Sequence, residues 1–132
     1  MRKVIFGGAN SLDNFIAREG GAVDWLLWGD EAAELMKDMW SRFDAMVMGR
    51  KTWDVAVASA PKGKKAKNPY GGIRTVVFSR TLEPGIRDGV EITAEDPGKF
   101  VKKLKKENGK DICVMGGGEL GRSLLEAGVV DE

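Results

Sequence analysis

The chain has 132 residues, 42% apolar and 31% charged, with a formal net charge of +1. That length gives one domain (residues 1–132) able to bury roughly two-thirds of its unfolded-chain surface, and near-neutrality supplies no global field for nucleic acid or an anionic membrane. Histidine is absent, which excludes His-based triads and the usual zinc ligand sets and leaves proton transfer to Asp, Glu, Tyr or water.

Lys3–Gly8 reads as a short buried strand ending at a glycine pair. Residues 11–28 show no clean period and contain Gly20-Gly21, so a long loop is expected. Asp30 can cap a helix whose apolar face is Ala32, Leu35, Met36, Met39, Trp40 and Phe43. Ala45–Met48 is a second buried strand closed by Gly49, followed by a short helix over Arg50–Val57. Ser59–Gly72, with its prolines, glycines and lysines, predicts a mobile surface loop. Arg74–Ser79 is a third strand and Val90–Thr93 a fourth, weaker one. Asp96 and Pro97 start a helix as N-cap and first residue, and Asn108-Gly109 end it. Asp111–Met115 is a fifth strand, Glu119–Ala127 a helix closed by Gly128, and Val129-Val130 the opening of a further strand.

No apolar stretch approaches the ~20 residues of a membrane span, and the N-terminus lacks a long apolar signal core. Cys113 lies alone in an apolar strand, so no disulfide framework is expected and a cytoplasmic location fits. Lys62–Lys67 lacks interleaved aromatics, and Lys102, Lys103, Lys105 and Lys106 surround the apolar stripe of a helix. Both read as solvated surface, with no nucleic-acid or membrane partner implied.

Alternating strands and helices predict an α/β layered domain with a mostly parallel central sheet flanked by helices. Ligands of such sheets bind at the carboxyl ends of strands. Three segments deliver glycines or small polar residues there: Gly49-Arg50-Lys51-Thr52, Ser79-Arg80-Thr81 and Gly116-Gly117-Gly118. Helix N-termini favour anions, so cations at Arg50 and Lys51 cost a little helix stability unless a phosphate arrives between them. Ser79-Arg80 adds a hydroxyl and a second guanidinium. Gly116-x-Gly118-x-x-Gly121 has the dinucleotide-loop spacing, but the acid ~20 residues on that such a motif needs has no room. Each segment also has a plainer reading, as an ordinary turn or a solvated basic corner.

Met46–Trp53, Val77–Arg80 and Val114–Gly118 together resemble the nucleotide-binding motifs of the dihydrofolate reductase fold. Ser11-Leu12-Asp13-Asn14-Phe15-Ile16-Ala17 and Val23-Asp24-Trp25-Leu26 are similar to one branch, the RibD C-terminal-domain-like reductases. The resemblance implies a three-layer fold and NADPH as hydride donor to a small heterocyclic or sugar-linked substrate. It places Gly49, Arg50, Lys51 and Thr52 at cofactor phosphates. Arg50, Ser79 and Arg80 fall at the adenosine 2′-phosphate, and Gly116, Gly117 and Gly118 at the pyrophosphate, with Glu119 beside them.

On the substrate side the resemblance implies Asp30 as the acid, with Asp24 and Asp13 as alternatives on the preceding loop, and Asp24, Trp25 and Trp28 around the substrate. A helix cap accounts equally for Asp30, and core packing for the tryptophans. Asn14 stands where this branch often has glycine and tolerates left-handed backbone. Family members carry further strands after the segment matching Val129–Glu132, so the first strand is expected to be an open sheet edge and the domain C-terminally incomplete. A homodimer pairing through that edge is one expectation, and a non-catalytic nucleotide-binding module is the alternative function.

Overall fold

The computed structural model describes residues 1–59 and 70–132. The Lys62–Lys67 run, and with it most of the expected 59–72 loop, lies outside the described residues. In chain order the elements are β1 (Val4–Phe6), a 3-10 turn (Glu19–Gly21), α1 (Asp30–Trp40), β2 (Phe43–Gly49), α2 (Arg50–Ala58), β3 (Arg74–Phe78), β4 (Gly85–Arg87), β5 (Val90–Thr93), α3 (Pro97–Lys106), β6 (Asp111–Gly116) and α4 (Gly118–Glu126). They fall into two compact units: Met1–Gly7 with Phe43–Glu132, and Gly8–Arg42.

The larger unit is built on a six-stranded sheet in the order β1-β6-β2-β3-β5-β4. Every neighbouring pair runs parallel except β4 against β5. Because side chains alternate along a strand, Ala45 and Val47 of β2 share one face with Val76 of β3, Val4 of β1, and Ile112 and Val114 of β6. That face packs against Phe100, Val101 and Leu104 of α3 and Leu120 and Leu124 of α4, with Val129 completing the cluster. The mostly β-branched and leucine side chains each contribute about 1.5–3 kcal/mol on burial. Met46, Met48, Thr75, Val77 and Cys113 point to the other face and are buried as well.

Asp96 and Pro97 act as read from the sequence. The Asp96 carboxylate accepts from Lys99 N at 2.8 Å, and Pro97 takes the first helical position.

Three expectations need correction. Phe43 is the buried first residue of β2 rather than part of the α1 face. The Ser41 hydroxyl donates to Asp38 O at 2.6 Å and Arg42 N to Met39 O, which closes the helix at Trp40. Secondly, β4 is absent from the reading of the sequence. It is joined to β5 by a tight turn with positive φ at Asp88 (52°) and Gly89 (81°), the Asp-Gly signature of a two-residue hairpin. Thirdly, β1 is the terminal strand of the sheet, as expected, but its outer side is partly engaged rather than bare. Asp131 N donates to Val4 O at 2.8 Å, and Phe6 N donates to Glu132 O at 2.8 Å.

Arg2 is the main buried charge of this unit, with its side chain 5% exposed. It pairs with Asp44 and donates to Lys110 O, while Asp44 also accepts from Lys110 N at 2.9 Å. Replacing Asp44 with Ala strands a buried guanidinium. Because Asp44 is itself 42% exposed, the cost is expected near about 2 kcal/mol, below the range for fully buried pairs. Urea denaturation checks this, and a loss under about 0.5 kcal/mol would show that the pair is a surface one in effect.

Asp131 is held below its ordinary value first by the hydrogen bond from Lys105 (2.6 Å) and then by that from Val4 N (2.8 Å). With the folded-state pKa below the unfolded one, this contact contributes fully above the unfolded carboxylate pKa and is lost as pH falls through the folded value. The Tm gap between wild type and Asp131→Asn is therefore expected to be widest near neutrality and to close in acid. A gap that ignores pH contradicts the assignment.

Candidate functional site

Adjacent parallel strands end on the same side of a sheet, and β6, β2 and β3 are such a trio. Register pairs Gly49 with Phe78 and Met48 with Gly116. Val47 opposes Val114 one step earlier, so Met115 is an extra residue in β6. Such a bulge bends a strand and re-aims the backbone beyond it, here the glycine turn. Gly116 has φ +112°, and the Gly116–Gly117 peptide is cis.

The two glycine turns lie very near each other. A Cβ on Gly49 would sit 3.7 Å from Gly117 N and 3.8 Å from Gly116 O, and one on Gly116 or Gly117 would sit 3.8 Å from Thr52 Oγ1. Helix α2 begins at N-cap Gly49 and α4 at N-cap Gly117, neither with a side-chain cap. Their first-turn N–H groups are thus not satisfied by a capping side chain and emerge side by side at one sheet edge, which favours an anion.

The third segment adds charge to this edge. Arg50, first residue of α2, donates through Nη1 to Thr81 Oγ1 and pairs loosely with Asp54 at 3.7 Å. Ser79 is only 7% exposed, and its oxygen accepts from Thr81 N (3.2 Å) and Leu82 N (3.0 Å). It therefore ties the turn after β3 rather than standing free. Lys51, Arg80, Gly118 and Glu119 are exposed, while Gly49, Thr52 and Gly117 are half-buried. Thr81 belongs to the Ser79-Arg80-Thr81 segment singled out in the sequence, which gave it no cofactor role of its own.

The substrate-side candidates all belong to the smaller unit. Ser11 and Asn14 form a tight turn, with Asn14 at φ +71° as its tolerance of left-handed backbone allows. A cleft of about 290 Å³ is lined by Ser11, Asp13, Phe15, Arg18 and Trp25, among others. Asp24 is bound to Arg18 Nε at 2.7 Å, and Trp28 is 62% exposed. Asp30 is not the helix cap: Gly29 is, and Asp30 is the first helical residue. Its carboxylate makes no hydrogen bond or ion pair among the described residues, so capping does not account for it.

This mostly parallel α/β sheet, whose middle strands end in glycine turns at two uncapped helices, has the dihydrofolate reductase-like fold that it shares with solved structures. Residues 2–132 match the model of the RibD C-terminal domain, and the chain belongs to that family. Among proteins of Bacillus subtilis (strain 168), it is 29% identical to the uncharacterized protein YwjB over 99% of this chain and 73% of that one. It is 31% identical to the uncharacterized protein YyaP over 99% and 71%.

Two crystal structures share the fold. One is a candidate riboflavin biosynthesis protein from Shewanella sp. PV-4 (TM-score 0.75, 24% identity, 99% of this chain and 73% of that one). The other is a diaminohydroxyphosphoribosylaminopyrimidine deaminase/5-amino-6-(5-phosphoribosylamino)uracil reductase from Thermotoga maritima (TM-score 0.64, 19% identity, 95% and 42%). Among the described residues, no helix is long and apolar enough to cross a membrane, and no cluster of acids and cysteines could hold a metal ion.

The glycine turn separates backbone need from ligand contact. Gly116→Ala places a side chain at φ +112° and is expected to cost about 1–3 kcal/mol of stability. Gly118→Ala meets open space and should melt within a degree or two of wild type. Equal melting temperatures for the two variants would contradict the geometry at Gly116.

Proposed function

We propose that the chain is an NADPH-dependent reductase acting on a small heterocyclic or sugar-linked substrate of the riboflavin-pathway or pterin type. The observation that carries this reading is the juxtaposition of two uncapped helix N-termini at the ends of β2 and β6, with Arg50, Arg80 and Thr81 beside them. Membership of the RibD C-terminal domain family and the shared fold support it.

The residues fit such a cofactor. Backbone N–H groups of Lys51, Thr52, Gly118 and Glu119, at the starts of α2 and α4, would receive phosphoryl oxygens. The absence of a side chain on Gly49, Gly116 and Gly117 keeps the two turns open to close approach. Lys51 faces solvent near the same helix start as a further cation. Arg50 and Arg80, on the turn that Ser79 ties, would receive the 2′-phosphate through charge-assisted hydrogen bonds. When bound, the dihydronicotinamide supplies a hydride. With no histidine in the chain, Asp30, whose carboxylate is unengaged, or an ordered water is the proton source. Trp25 and Trp28 offer flat apolar surface for a heterocycle, and Asp24 a carboxylate for its N–H groups.

NADPH at about 100 times its Kd should raise the melting temperature by several degrees. Arg50→Ala should weaken NADPH by about 10- to 100-fold, with much less effect on NADH. Equal shifts from NADPH and NADH in wild type would overturn the 2′-phosphate assignment. Cofactor binding without turnover across pterins and pyrimidines would leave a binding module instead of a reductase.

A further inference from the structure

The hydrogen bonds around Ser79 determine which hydroxyl of this turn is available to a ligand. A serine hydroxyl has two lone pairs and one proton. Both lone pairs of Ser79 Oγ are taken, by Thr81 N at 3.2 Å and Leu82 N at 3.0 Å. Its contact with Thr81 Oγ1 at 3.3 Å must therefore use the Ser79 proton, so Ser79 donates and Thr81 accepts. Thr81 Oγ1 also accepts from Arg50 Nη1. With both of its own lone pairs occupied, Thr81 is left with only its proton to offer, and no acceptor for it exists among the described residues.

Thr81 is exposed, whereas Ser79 is buried. The turn thus presents an outward O–H donor directly beside a guanidinium that keeps further N–H donors free. A pure-donor corner of this kind suits an oxyanion and offers nothing to a neutral ribose hydroxyl that needs an acceptor as well.

Resting on the NADPH reading above, we propose that Thr81 is the specificity-determining hydroxyl for the 2′-phosphate, donating to it directly, and that Ser79 is a positioning residue that sets the polarity of Thr81. Thr81→Val keeps the shape of the side chain and removes the donor, together with the oxygen that accepts from Arg50. Thr81→Ser keeps the donor.

The test is calorimetric titration of wild type, Thr81→Val, Thr81→Ser and Ser79→Ala with NADPH and NADH, with melting temperatures recorded for each. Thr81→Val is expected to raise the Kd for NADPH about tenfold or more while moving that for NADH less than about twofold, and Thr81→Ser to restore the preference. Ser79→Ala is expected to lower the melting temperature, because two turn N–H groups lose their acceptor, while the NADPH preference persists in reduced form. A wild-type preference for NADPH that survives Thr81→Val, or that Thr81→Ser does not restore, overturns the role of Thr81 alone. A preference abolished by Ser79→Ala but intact in Thr81→Val assigns the contact to Ser79 instead. Wild type binding neither nucleotide overturns the cofactor reading, wild type binding both equally overturns the 2′-phosphate assignment alone, and either result removes the role of Thr81.

Discussion

Parallel pairing of β6, β2 and β3 is the constraint on which the candidate cofactor site depends. Parallel strands cannot be joined by tight hairpins, so each connection must cross back over the sheet, and every carboxyl end is followed by a turn at the same edge. Burial of Val47, Val76 and Val114 at matched register holds those ends level. A slip of one residue would turn each buried side chain to the opposite face. The same apolar packing that stabilises the sheet therefore delivers Gly49, Ser79 and Gly116 to neighbouring positions.

Charge is placed sparingly on this frame. Arg50 sits where a helix N-terminus disfavours a cation, and the Asp54 carboxylate one turn on is 3.7 Å away and partly exposed. The nearer partner is neutral, the Thr81 oxygen. A guanidinium anchored by a hydroxyl keeps its full charge for an incoming anion, whereas a tight carboxylate pair would neutralise it. The Arg2–Asp44 pair shows the opposite arrangement. There, charge is buried and closed on itself at the other end of β2, and holds the fold rather than a ligand.

Much of the larger unit was legible because its signals are strong and local. Ala45–Met48 is a continuous apolar run that stops at glycine, and Asp96-Pro97 is an unambiguous helix start. β4 was not legible for a physical reason: Gly85, Ile86 and Arg87 are all exposed, so no alternation of apolar and polar residues betrays a strand held by main-chain pairing alone. The Asp88-Gly89 turn was the one available signal. Asp30 was placed one residue too early in its helix, within the usual uncertainty of a helix boundary, yet that one step decides whether its carboxylate is occupied as a cap. The separate role of Thr81 was invisible for a different reason. Which of two neighbouring hydroxyls keeps a free proton depends on which backbone N–H groups fold onto them, and residue types do not encode that.

Titrating NADPH into the protein while recording its amide proton–nitrogen correlation spectrum tests most directly whether the three turns form one cofactor site. Large shifts should be confined to the amides of Lys51 and Thr52, Arg80 and Thr81, and Gly117 to Glu119, all saturating with a single Kd, while β4 and the far end of α3 stay unmoved. Shifts at only one of the three turns, or saturation at different concentrations, would contradict it.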